Sequence, residues 1–266
     1  MLWLALAVGT ILAGLIIAYG FASIKQARLY KSLRGKLARS LLQPLVAKWD
    51  LPRPLPLNTH FATVADFLPG NLFQHLLDEL AAVQAVERGY IPLKRKAGTI
   101  AYETLIETGP AFVGLYHSSQ LLAFLSGCTG LRLVPTPIRD QSSLSLLIYD
   151  QPGDYIGWHY DYNFYKGRHF TVILCLINQG SAADGLSHAS FALVREGQEQ
   201  YITAAPNTLI MFEGNKVYHR VTPIEENERR VVMSMTFCTE PSSSWPQAVS
   251  RRIKDTAFFG LRALWT

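Results

Sequence analysis

Two side chains of metal-binding type, His159 and Asp161, stand two positions apart in the stretch SLLIYDQPGDYIGWHYDYNFYKGRHFTVILCLIN, residues 145–178. On an extended strand such residues point to one side about 6–7 Å apart, so an imidazole and a carboxylate can reach a single ion. A lone His-x-Asp is common by chance, and its surroundings give this one weight. Ahead of it the apolar run Leu144, Leu146, Leu147 and Ile148 ends at Tyr149 and a DQPG turn, which puts the pair just past a strand end at a cavity mouth. Behind it residues 170–178 form a β-rich run of the buried kind. Further on, residues 209–212, a Gly214-Asn turn and Val217-Tyr-His219 give another strand ending in histidine. Two histidines and one carboxylate hold Fe(II) on one face and leave the other face open.

The order Tyr149, His159-x-Asp161, His219 and Arg229 resembles the 2-oxoglutarate- and iron(II)-dependent dioxygenases, and among them the prolyl 4-hydroxylase-like branch. The resemblance covers residues 143–238, with a weaker echo from Phe61 onward. It implies an α+β, mainly β fold: a double-stranded β-helix, or jelly roll, with flanking helices. It also implies Fe(II) on His159, Asp161 and His219, 2-oxoglutarate chelating the metal, and Tyr149 and Arg229 on the cosubstrate. O2 is then the co-reactant, ascorbate a possible reductant, and succinate and CO2 leave as a C–H bond is hydroxylated. An arginine suits the distal carboxylate because its rigid donor fork matches a carboxylate and stays charged when buried. Adjacent strand residues face opposite ways, so Arg230 competes with Arg229; the ten-residue spacing from His219 favours Arg229. The AlkB-like nucleic-acid demethylases carry an Arg-x-Asn-x-Thr-x-Arg signature that residues 229–235 do not match. Asn163, Tyr165 and Arg168, with Phe164, are the candidates for touching the primary substrate, because chain proximity holds them near the metal.

Stepping outward along the chain, residues 1–24 carry no charge and are long enough to span a bilayer as a helix, with Trp3 and Tyr19 near the two ends. Lys25, Arg28, Lys31, Arg34, Lys36 and Arg39 follow, with no acidic residue before Asp50. The positive-inside rule then makes this a single-pass anchor with the catalytic part cytoplasmic. The formal charge is +5, yet with those six set aside 19 Lys and Arg face 20 Asp and Glu. The basic excess therefore points to anionic membrane lipids as partners and away from nucleic acid. Residues 25–56 read as a basic juxtamembrane segment and a connector broken by Pro44, Pro52, Pro54 and Pro56. Residues 57–240 form the dioxygenase domain.

Within that domain a short strand and a helix are expected between Phe61 and Glu87, and a second helix from Ser118 to Leu125. The charged, glycine-containing stretch at 94–102 suggests a loop, either a lid over the site or a solvated turn. His60, His75, His117, His169 and His188 read as structural or exposed. Cys128, Cys175 and Cys238 are far apart and in apolar company, as buried free thiols would be. Residues 241–266 form a basic amphipathic tail, resting on the bilayer or docked on the barrel. A lipid-like compound, a small molecule and a peptide all fit as the primary substrate. The alternative function is a non-catalytic jelly roll that binds a ligand or senses metal at the membrane.

Overall fold

The computed structural model describes Gly14 and residues 24–25, 27–42, 45, 50–57, 60–83 and 86–260. The apolar segment 1–24 lies, apart from Gly14 and Ile24, outside the described residues. Among those, no helix is long and apolar enough to cross a membrane. The basic segment that follows is helical over residues 27–40, here α1. It is docked: Leu33 is buried with the domain core, the Tyr30 ring lies 4.1 Å under the Arg139 guanidinium, and Lys36 pairs with Glu107. Residues 50–57, with three prolines, carry no regular structure.

The domain opens with β1 (Phe61–Val64) and α2 (Gly70–Ala82), then β2 (Glu87–Ile91) and β3 (Arg95–Ile100). Three short helices follow, α3 (Tyr102–Thr108), α4 (Pro110–His117) and α5 (Ser119–Thr129). The remaining strands are β4 (Val134–Pro135), β5 (Leu144–Tyr149), β6 (Tyr155–His159), β7 (His169–Gln179), β8 (Phe191–Arg195), β9 (Gln198–Ile202), β10 (Leu209–Glu213), β11 (His219–Val221) and β12 (Arg229–Cys238). Helix α6 (Trp245–Phe259) ends the described chain. All pairings are antiparallel, in the order β1-β10-β7-β12-β5-β3-β6-β11-β8-β9, with β2 beside β3 and β4 beside β12. Strands from opposite ends of that order meet. Phe61 of β1 stacks on Phe191 of β8 with ring centroids 6.1 Å apart, and Phe191 lies 5.5 Å from Phe212 of β10. The sheet is therefore curled on itself, as a jelly roll requires, with helices flanking its back.

The two-residue period of a strand divides the interior in two. On β12, Val231, Met233, Met235 and Phe237 are buried with the helices in the larger core; each such side chain contributes about 1.5–3 kcal/mol. The alternate residues Arg230, Val232, Ser234 and Thr236 face a cavity inside the curl. On β5, Leu144, Leu146 and Ile148 take the helix side while Ser145, Leu147 and Tyr149 take the cavity side.

Two sequence expectations change here, and of the two alternatives for the tail one is met. The stretch at 94–102 is no lid or turn: Arg95–Ile100 is strand β3, hydrogen-bonded between β2, β5 and β6. Its glycine marks close packing, since a Cβ on Gly98 would come within 2.7 Å of Val86 and 3.3 Å of Ile148. Helices α3 and α4 fill a stretch in which no helix was expected. The C-terminal tail docks as α6, capped by Ser244 and Gln247, and its Arg251, Asp255 and Phe259 are buried against the domain. The three cysteines are free and buried, as read from their apolar company.

Candidate active site

The metal-binding side chains come together through one strand pairing. His159 ends β6 and stands directly opposite His219, the first residue of β11. Asp161 follows just past the strand end, and its backbone N–H donates to the Gly214 carbonyl at 3.0 Å. One ligand atom from each of the three lies within 4.8 Å of the others, with Asp161 Oδ1 at 3.4 Å from His159 Nε2 and 4.0 Å from His219 Nε2. Both imidazoles are oriented from behind: Nδ1 of His159 lies 2.8 Å from the Gly157 carbonyl and Nδ1 of His219 lies 3.0 Å from that of Val217. A ring whose Nδ1–H donates to a carbonyl offers the Nε2 lone pair forward, the tautomer a metal needs. The Thr171 hydroxyl donates to Asp161 Oδ2 at 2.5 Å, leaving Oδ1 for an ion.

Electrostatics suits the same task. Burial pushes His219 down to about 4, so it is neutral at pH 7 and its lone pair is available. Burial also disfavours charge on Asp161, but the hydrogen bond with His159 and the two imidazoles outweigh it and hold the carboxyl below its usual range. Burial opposes charge on His159 as well, and the Asp161 hydrogen bond and charge reverse that and raise it. Gly214 allows the close approach: a Cβ there would come within 2.8 Å of Asp161 Cβ and 2.9 Å of His169 Nδ1.

Behind the triad lies a cavity of about 380 Å3. At the end of β5, Tyr149 is fully buried and its hydroxyl has no hydrogen-bond partner. Paired with it in register is Arg230 of β12, 1% exposed, whose Nε and Nη1 are likewise without partners. Its guanidinium sits 5.5 Å from the Tyr149 ring centroid. The expectation for Arg229 is corrected: its side chain is exposed and outside the cavity, because it occupies the other face of β12. The signal was present in the sequence, since Arg230 shares parity with Ser234 and Thr236 while the long apolar residues share parity with Arg229. Donors of this kind, buried and unpaired, fit a carboxylate.

The expected substrate contacts are placed differently. Asn163 folds its own loop, donating to the Gly167 carbonyl at 2.6 Å and accepting from the Tyr165 N–H. Tyr165 is buried and donates to Asp140 at 2.6 Å, and Arg168 forms a two-pronged pair with Glu213 at 2.9 and 2.7 Å. None of the three lines the cavity. The cavity walls come instead from Tyr160, Tyr162 and Phe164 on one side and Lys254, Phe258 and Phe259 of α6 on another, with Arg95 of β3 between. Sequence proximity found the first group only through Phe164; the α6 residues are brought in by tertiary packing.

The comparisons agree with this geometry. The sequence matches the family described as Halogenase D over residues 56–258. Among solved structures, a prolyl hydroxylase from Trichoplax adhaerens, in complex with a hypoxia inducible factor oxygen degradation domain peptide fragment, is similar at 17% identity, TM-score 0.56, over 73% of this chain and 88% of that one. A Pseudomonas putida prolyl-4-hydroxylase is similar at 15% identity and TM-score 0.52, over 70% and 95%. The non-heme alpha ketoglutarate dependent epimerase SnoN from nogalamycin biosynthesis is similar at 12% identity and TM-score 0.54, over 68% and 76%. No curated protein matches significantly in sequence. The fold is that of the 2-oxoglutarate- and Fe(II)-dependent oxygenases, and the chain belongs to the Halogenase D family.

Proposed function

We propose that this protein is an Fe(II)- and 2-oxoglutarate-dependent oxygenase that hydroxylates a C–H bond of a small or membrane-delivered substrate. The observation that carries the reading is the convergence, inside one curl of sheet, of the His159, Asp161 and His219 ligand atoms with the unpaired donors of Arg230 and Tyr149. When bound, iron and 2-oxoglutarate supply the oxidation of a C–H bond by O2, with succinate and CO2 as co-products. The chain's part is to hold and shield. The backbone carbonyls of Gly157 and Val217 fix the two histidine tautomers, Thr171 steadies the carboxylate, and Arg230 with Tyr149 takes the distal carboxylate in place of Arg229. Phe164 and Phe258 supply apolar wall beside the reacting centre, with Tyr160 and Tyr162 at the exposed rim.

The family's description favours a second reading, halogen transfer. A halide reacting at the metal needs a position of its own, and Asp161 takes that third protein position, which weighs towards hydroxylation. Succinate release from 2-oxoglutarate with Fe(II) and ascorbate tests the enzyme, and its absence in the wild-type chain would overturn the reading. Repeating the assay in chloride, with mass analysis of product from a membrane extract, separates an added oxygen from an added chlorine.

The membrane part of the reading rests on residues 1–24 and on α1, where Arg28, Lys31, Arg34 and Arg39 stay exposed while Leu33 packs on the domain. A docked helix with a basic outer face would hold the domain against anionic lipid. Retention of full vesicle binding after removal of residues 1–24 and reversal of those four charges would refute it.

A further inference from the structure

Arg95 is the cavity's second guanidinium, and neither the metal site nor the Arg230 clamp accounts for it. It is 5% exposed, lies on β3 opposite Ile156 of β6, and lines the cavity. Its Nε has no hydrogen-bond partner, and its Nη2 has only a distant carbonyl, that of Gly98 at 3.5 Å. The Phe258 ring of α6 covers it at 5.1 Å. The nearest carboxylate influence, Asp154, is already taken by Arg88 at 2.6 Å on both oxygens. A buried guanidinium with an idle donor is costly unless a ligand anion completes it.

Where that anion sits follows from Tyr149. Arg230 stands opposite Tyr149 in register, and the β3–β5 pairing of Gly98 with Ile148 brings Arg95, three residues before Gly98, diagonally past Tyr149 on the cavity face of the sheet. A carboxylate has about four acceptor sites, enough for all three residues at once. We infer that Arg95 is a second arginine of the distal-carboxylate cradle, so that 2-oxoglutarate is held by Arg230, Tyr149 and Arg95 together. This rests on the cosubstrate reading above and adds a positioning residue to it. It also ties α6 to cosubstrate binding, because Phe258 holds the Arg95 guanidinium in place from the C-terminal helix.

The test compares two ligands on the Mn(II)-loaded full chain by calorimetry: 2-oxoglutarate, and 2-oxopentanoate, which keeps the keto acid but lacks the distal carboxylate. Arg95→Gln should weaken 2-oxoglutarate ten- to hundredfold and leave 2-oxopentanoate within about twofold, with Arg95→Lys intermediate. Arg230→Gln should show the same selective loss. If Arg95→Gln binds 2-oxoglutarate like the parent while Arg230→Gln does not, or if it weakens both ligands equally, Arg95 is no part of the cradle although the cosubstrate reading stands. If the parent itself does not distinguish the two ligands, the cosubstrate reading fails whatever Arg95 does. Thermal melting of each variant confirms folding, and Arg95→Lys keeps the test valid should the glutamine variant melt early.

Discussion

Two buried charged regions lie side by side in this domain and differ in how their charges are answered. Where α6 meets the barrel, each buried charge faces an opposite one. Lys254 reaches Asp140, Asp255 and Ser142 at 2.8 Å, Tyr165 donates to Asp140, and Arg251 pairs with Asp255 at 3.4 Å. Its electrostatics are those of a structural joint: burial raises Asp255 to about 6, while Lys254 and Arg251 overcome burial at Asp140 and hold it at about 2. In the cavity next to it, Arg230, Tyr149 and Arg95 keep donors that nothing in the chain takes up. Buried polar groups are paired wherever stability alone is served. Guanidinium groups with no opposite charge beside a set of answered charges therefore mark where an anionic ligand completes the fold.

The contrast can be broken at each point. The largest effect is expected at the metal face. Asp161→Ala or His219→Ala should abolish retention of one Fe(II) per chain, measured by metal analysis after gel filtration, with little change in melting. Next, Lys254→Met removes the cation between two buried acids and should cost about 3 kcal/mol by denaturant unfolding, since a buried pair that loses one partner leaves an uncompensated charge. Arg230→Met should do the opposite in the ligand-free protein, holding stability level or raising it by up to about 2 kcal/mol while 2-oxoglutarate binding is lost; equal destabilisation by the two substitutions would erase the distinction between the regions. A smaller effect belongs to Thr171→Val, which frees Asp161 Oδ2 and should weaken metal binding about ten- to hundredfold.

The smallest concerns a third kind of buried polar group, one kept neutral. His117 Nε2 lies 2.6 Å from the Tyr102 hydroxyl, and burial pushes the ring down to about 4. Between pH 6.5 and 4 the unfolded chain takes up a proton that the folded chain refuses. Stability should thus be flat above neutrality and fall across that window on acidification, by on the order of 2 kcal/mol. His117→Phe should remove its share of the fall and leave that of His219 and the opposing proton uptake by Asp255.

How much of this was legible in the sequence divides along similar lines. The triad could be read because a strand places residues two apart on one side and because His219 follows a β-rich run with a turn before it. The apolar runs at 144–148 and 170–178 read as strands, and the resemblance implies the jelly roll they join. Spacing from His219 points to Arg229, whereas parity with Ser234 and Thr236 on the cavity face points to Arg230. Arg95 was hidden because Lys94-Arg-Lys96 beside Gly98 has the composition of a solvated turn, and only pairing with β5 and β6 turns it inward. The α6 wall was hidden for a different reason. Its amphipathic pattern shows that one face is covered, and the covering surface, Asp140 with Tyr165, is more than eighty residues away.

The most direct test is a crystal structure of the chain soaked with Mn(II) and 2-oxoglutarate under anaerobic conditions. One ion should be found on His159 Nε2, His219 Nε2 and Asp161 Oδ1, with the distal carboxylate against Arg230. An ion seated elsewhere, for instance at the His188, Glu225 and Glu228 cluster, or a cosubstrate turned away from Arg230, would contradict the assignment.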